Sequence, residues 1–255
     1  MNGIGDVIVG IDGTAASDAA VHWAVAEAAR MGRPVRLVHA ESDPVDTLVR
    51  LAAQAALVVV GSHGRNALTE AVYSATGTRV AMRAPGLVAV VRGRVDAADG
   101  PVVVGVSGLR HDDRLLDTAF AAAARRGCEL VAIHVLPPQA APWGIGIPPL
   151  APNPVQARAN LLSDLTDDVQ RWHDKYPTVP AMARVPGGDP ASVLLDASAE
   201  AQLLVLGGRA HGPAAGLLAD SVGHRLLYHA ACPLLIQHPH QGLKVATSAS
   251  TLRLA

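Results

Sequence analysis

Short runs rich in valine, leucine and isoleucine alternate along this chain with longer stretches in which apolar residues recur at helical spacing. The runs at 6–11, 34–39, 56–60, 87–91, 101–106, 129–135, 202–206 and 234–237 read as strands. Their polar residues seldom alternate, which fits strands covered on both faces. Helices are predicted over 15–31, 112–126 and 153–175. Leu116, Ala119 and Ala123 mark one face of the second, and Leu161, Leu165, Val169 and Trp172 one face of the third. Asp43-Pro44 and Asp189-Pro190 each place a capping carboxylate before a proline at the first helical position, so a helix starts at both. Val222, Leu226 and Ala230 line a further helix, and 181–185 reads as a short strand ahead of the Gly187-Gly188 turn. Strands alternating with helices predict an α/β protein with a parallel sheet.

The pattern occurs twice. Val7-Ile8-Val9-Gly10-Ile11-Asp12-Gly13 falls on Val102-Val103-Val104-Gly105-Val106-Ser107-Gly108 at an offset of 95 residues, and Leu37-Val38-His39 falls on Ala132-Ile133-His134 at the same offset. From Asp43-Pro44 onward the offset becomes 146: Leu57–Gly61 falls on Leu203–Gly207, and Ala84–Val91 on Ala230–Gln237. Matches that hold one offset, change once and hold again mark a duplication. The change means that about 51 residues of the second copy have no counterpart in the first. They comprise the proline-rich loop 136–152, the helix capped by Asn153-Pro154 and the strand 181–185. We therefore expect two domains, 1–95 and 101–238, the first short of one helix and one edge strand, followed by a tail, 239–255, without a sustained period.

Composition narrows the partners. Half the residues are hydrophobic but only 3% aromatic, so the cores must be built of Ala, Val and Leu. With 21 basic and 22 acidic residues and no block of like charge, bulk electrostatics suggest no nucleic-acid or membrane partner. The chain runs from Met1 straight into a strand-like segment, and no apolar stretch approaches the roughly 20 residues that span a bilayer. Cys128 and Cys232 fit neither a disulfide framework nor a paired zinc spacing. The expectation is a cytoplasmic protein with no metal of its own.

Candidate chemistry lies at strand ends, where doubly wound sheets collect ligands. Asp12 closes the first strand; its carboxylate either contacts a ligand or caps local loop amides. Gly61-Ser62-His63-Gly64-Arg65 follows another strand and leads toward a helix. Glycines let amides approach a phosphate, the helix start adds a favourable dipole, and Arg65 adds charge. The segment also reads as a plain structural turn. It is not a Walker loop, because no Gly-Lys-Ser/Thr follows, and the first strand lacks the three spaced glycines of a dinucleotide fingerprint. His39 and His134 end equivalent strands and read as structural histidines; Cys232, before a proline, reads as a small buried hydrophobe.

Three segments resemble the universal stress protein family: Val-Gly-Ile-Asp-Gly-Thr at 9–14, Val-Val-Val-Gly-Ser-His-Gly-Arg at 58–65, and His-Ala-Ala-Cys-Pro-Leu-Leu-Ile at 229–236. The resemblance covers residues 5–92 and 101–238. It implies two doubly wound, adenine nucleotide alpha hydrolase-like domains with strand order 3-2-1-4-5 in the second copy and 2-1-4-5 in the first. It also implies last strands lying side by side and antiparallel, a stress-response role, and an ATP site in some members. On that likeness the first copy offers Gly10, Asp12, Gly61, His63, Gly64, Arg65 and Ser74 to an adenine nucleotide, although Ser74-Ala75 stands where the family has Gly-Ser/Thr. The second copy retains Gly105, Gly207 and Ser221 but has Ser107 for the aspartate, Ala210 for a glycine, and Asp220, whose charge opposes a polyphosphate. Two functions stay open. One is a non-enzymatic, nucleotide-responsive regulator binding ATP at a degenerate site; the other is a scaffold that acts through protein contacts alone. Either leaves room for a homodimer, and neither names the protein partner.

Overall fold

The valine-rich runs form nine strands, and the stretches between them form seven helices among the described residues. The computed structural model describes residues 5–62, 70–107, 113–137, 153–208 and 222–238. The first copy contains β1 (Val7–Ile11), α1 (Ala15–Met31), β2 (Val35–His39), α2 (Pro44–Ala52), β3 (Leu57–Gly61), α3 (Glu70–Arg83) and β4 (Leu87–Val91). The second contains β5 (Val102–Gly105), α4 (Asp113–Arg126), β6 (Leu130–Ile133), α5 (Pro154–Lys175), β7 (Ala181–Arg184), α6 (Pro190–Ser198), β8 (Leu203–Gly207), α7 (Val222–His229) and β9 (Leu234–Gln237). All nine strands join one sheet in the order β2-β1-β3-β4-β9-β8-β5-β6-β7. Relabelled by position within each copy, this is 2-1-4-5 followed by 5-4-1-2-3, the orders expected from the resemblance. The tail and the proline-rich loop from 138 onward lie outside the described residues.

Pairing is parallel within each half and antiparallel at one junction only, between β4 and β9. There Ala89 faces Leu235, its own counterpart at the offset of 146, while Val88 faces Ile236 and Val90 faces Leu234. The junction is therefore isologous, two copies of one strand meeting about their midpoint, and it hides two Val/Leu-rich edges that would otherwise template aggregation. Helices α1, α4 and α5 cover one face, where Val7, Val9, Ala24, Leu116, Phe120 and Leu165 belong to one core cluster. The other face is covered by α2, α3, α6 and α7, which contribute Leu48, Val80, Leu194 and Leu226.

Local chemistry accounts for the helix starts. Asp43 accepts from Asp46 N and Asp189 from Ser192 N, each before a proline. The caps differ in one respect. Asp43 sits at φ 42°, whereas Asp189 has φ −74° and follows Gly188 at φ 139°. The first copy passes from β2 to α2 through a few residues and has no glycine to take the left-handed turn, so the aspartate takes it, as short polar side chains can.

Both halves are held together by contacts that obey the repeat. Just past β4, Arg92 donates to the carbonyls of Leu227 and Tyr228 in the last turn of α7. Just past β9, His238, the counterpart of Arg92, bonds through Nε2 to the carbonyl of Ala81, the counterpart of Leu227, at 2.6 Å. Each half thus caps a helix of the other, satisfying end-of-helix carbonyls that have no intrahelical partner.

Candidate functional site

The carboxyl ends of β1 and β3 lie side by side, because Val9 pairs with Val59 and the two strands run parallel. β2 flanks β1 on the other side, so the strand order reverses here, and α1 and α3, the helices that follow β1 and β3, pack on opposite faces, the arrangement that leaves a crevice in doubly wound sheets. Asp12 and Gly61-Ser62 border it. Ser62 N is bonded to the carbonyl of Val91 at 3.0 Å, which ties the start of the β3 loop to the end of β4.

Asp12 is exposed, and its Oδ1 accepts from Thr14 N at 3.0 Å and from Thr14 Oγ1 at 2.6 Å. Thr14 in turn is the N-cap of α1, with Oγ1 accepting from Ser17 N at 3.3 Å and its carbonyl accepting from Ser17 Oγ at 2.8 Å. One carboxylate oxygen therefore serves the α1 cap, so the capping role weighed for Asp12 is realised.

The glycines expected at the site do packing work first. A Cβ on Gly10 would come within 2.8 Å of Leu48 Cδ1, and one on Gly105 within 3.1 Å of Leu194 Cδ1. Both residues let an equivalent leucine, from α2 or α6, press onto the first strand of its half. A Cβ on Gly61 would lie 2.7 Å from the carbonyl carbon of Ala16, so this glycine admits the first turn of α1 against β3. At Gly207, its counterpart, the nearest atom among the described residues would be Leu115 Cδ2 at 3.6 Å; His111 and Asp112, the counterparts of Ala16 and Ser17, lie outside them. His63, Gly64, Arg65 and Ser221 lie outside the described residues, as do Ala210 and Asp220; Ser74 falls within α3. Of the first-copy candidates, then, Gly10, Asp12 and Gly61 gather at one end of the sheet.

The strand-end histidines match one another. His39 Nδ1 bonds to the carbonyl of Ile11 at 3.1 Å, and His134 Nδ1 to that of Val106 at 3.2 Å. A carbonyl only accepts, so Nδ1 carries the proton in both. Among the described residues no group of three or more His, Cys, Asp or Glu could hold a metal ion, and no helix is long and apolar enough to cross a membrane. Burial pushes the Cys232 thiol up to about 12, and burial raises that of the half-buried Cys128 as well. At pH 8 the Cys232 thiolate fraction is about one in ten thousand. Maleimide labelling of the native protein, read by peptide mapping, should therefore leave Cys232 unmodified until denaturant is added. Rapid native labelling would contradict its burial.

Sequence reading did not anticipate Thr14 as the link between Asp12 and α1, nor the contacts of Arg92 and His238. A signal existed for the latter pair: both follow a last strand directly and coincide at the offset of 146.

Comparison with known proteins agrees with this architecture. The model of the universal stress protein family matches residues 3–52 and 100–238. The chain is 28% identical to a universal stress protein of Mycolicibacterium smegmatis over 291 aligned positions, covering 91% of this chain and 97% of that protein. An alignment longer than the 255-residue chain requires gaps in it, in keeping with a first copy that lacks residues its relatives have. A universal stress protein of Mycobacterium tuberculosis is 31% identical over 216 positions, covering 81% of this chain and 70% of the other. Among solved structures, a universal stress protein from Archaeoglobus fulgidus superposes with a TM-score of 0.62 over 91% of this chain and 96% of its own, at 12% identity.

Proposed function

Because this chain belongs to the universal stress protein family, we propose that it is a non-enzymatic, cytoplasmic stress-response regulator that responds to an adenine nucleotide. Its domains are 1–95 and 101–238, and the nucleotide is held in the first, at the crevice between the ends of β1 and β3. The carrying observation is that Asp12 and Gly61-Ser62 border one crevice at the point where the strand order reverses. Asp12 accepts from the hydroxyls or amine of the nucleoside, while Gly61, His63, Gly64, Arg65 and Ser74 serve the phosphates. Signalling is by conformation or partner choice. No Walker lysine is present to support phosphoryl transfer.

The scaffold reading has an observation of its own: Oδ1 of Asp12 is engaged by Thr14, and the second copy carries Ser107 at that position. Asp12→Asn separates the two. It keeps an oxygen for Thr14 and removes the charge, so the α1 cap survives while a charge-assisted bond to ligand becomes neutral, a loss of about 1 kcal/mol or more. Calorimetric titration with ATP should give heat for the parent and roughly tenfold weaker binding for Asp12→Asn, with unchanged thermal melting. A parent that gives no heat, and releases no nucleotide on denaturation, leaves the scaffold function in its place.

A further inference from the structure

The two halves are covered unequally, and the repeat supplies the control. In the second half, Phe120 of α4 and Ala132 of β6 are fully buried, in one cluster with Leu165 and Val169 of α5. Tyr176, at the end of α5, stacks on Phe120 with ring centroids 5.7 Å apart, and α5 packs on the edge strand β7. The counterparts of Phe120 and Ala132 in the first half are Val25 and Leu37. They are 53% and 51% exposed, because the first copy has no equivalent of α5 and β7. The same surface of the same fold is thus covered by a helix and a strand in one half and bare in the other.

We infer that a second copy of this chain covers this face, through twofold antiparallel pairing of β2 with β2 and packing of α1 against α1. The second copy supplies the two kinds of element that the other half uses, a strand beside the edge and a helix beside the face. The edge is ready for it. In a parallel ladder alternate residues turn their backbone groups away from the partner; with Pro34 accepting from Val7, those of β2 are Val35, Leu37 and His39. Within its span β2 has no proline or lysine, the usual guards of a free edge. Its one arginine, Arg36, is engaged with Asp6 at 3.8 Å.

Self-complementarity follows from the sequence. Pairing about Leu37 sets Arg36 opposite Val38 and Val35 opposite His39, with no like charges facing. Antiparallel α1 helices crossing at Val25 bring Asp18, near the N-terminus, toward Gly32-Arg33 beyond the partner's C-terminus. The chain already closes its other Val/Leu-rich edges by an isologous junction of this kind, β4 with β9. The proposal does not depend on nucleotide binding.

Sedimentation velocity of the full chain without nucleotide should give a dimer at micromolar concentration. Leu37→Glu should raise the dissociation constant at least about a hundredfold. Met182→Glu, on the opposite sheet edge, should leave the dimer intact. Leu37→Cys should yield a covalent dimer with a short bis-maleimide, whereas Met182→Cys and the parent should not. The cross-linking arm does not rely on a disruptive variant, and circular dichroism checks that Leu37→Glu stays folded. A monomeric parent, a dimer indifferent to Leu37→Glu, or cross-linking through position 182 in place of 37 would overturn the inference; the first would assign the face to a different protein.

Discussion

Glu27→Ala should lower the unfolding free energy by about 3–5 kcal/mol, the largest loss expected from a single polar truncation in this protein. Glu27 lies on α1 with its side chain 2% exposed, and its Oε2 is 2.6 Å from Nη2 of Arg126 on α4, which is 3% exposed. Arg30 and Arg125 approach the same carboxylate at 3.5 and 3.8 Å. Burial lowers the pKa of Arg126, and Glu27 is the charge that opposes the drop. Alanine at 27 leaves a buried guanidinium facing two further arginines with no counter-charge. The pair itself is a different matter, because desolvation offsets most of its attraction. Glu27→Leu combined with Arg126→Met should therefore recover most of the loss. Urea denaturation of the two single variants and the double variant gives the coupling directly; a double variant as unstable as Glu27→Ala would show that packing at this contact, and not the stranded charge, carries the effect.

This pair also shows how far a single sequence can be read. Ala20, Trp23, Ala24 and Ala28 mark the buried stripe of α1, and position 27 falls on that stripe at helical spacing. The pattern therefore places a carboxylate on a buried face, which is a signal that it has a partner. It cannot say that the partner comes from α4 of the other half, because α1–α4 packing exists only once β4 and β9 have joined the two sheets. The missing helix and strand and both Asp-Pro helix starts were legible because each depends on local chemistry or on the change of offset, whereas strand order came from the family resemblance. Contacts of Glu27, Arg92 and His238 were not, because they depend on the relative placement of the halves. At the site, Asp12 and Gly61 could be found from their strand-end positions. What Gly61 must accommodate could not, since Ala16 is its neighbour only in space.

That last contact gives the second large effect. Gly61→Ala should destabilise the protein by about 1–3 kcal/mol, because the new methyl would lie 2.7 Å from the carbonyl carbon of Ala16 and 3.2 Å from Ser17 N. These are backbone atoms, so relief requires α1 to move, not a side chain to rotate. The displaced turn is the one that Thr14 caps and Asp12 supports, since Ser17 N and Asp18 N are both bonded to Thr14. Amide exchange should therefore quicken at Ser17 and Asp18 in Gly61→Ala. Any adenine nucleotide held beside Asp12 should be lost with the turn in this variant. Parental stability and parental exchange in Gly61→Ala would mean that the close approach of α1 to β3 is not what glycine provides at position 61.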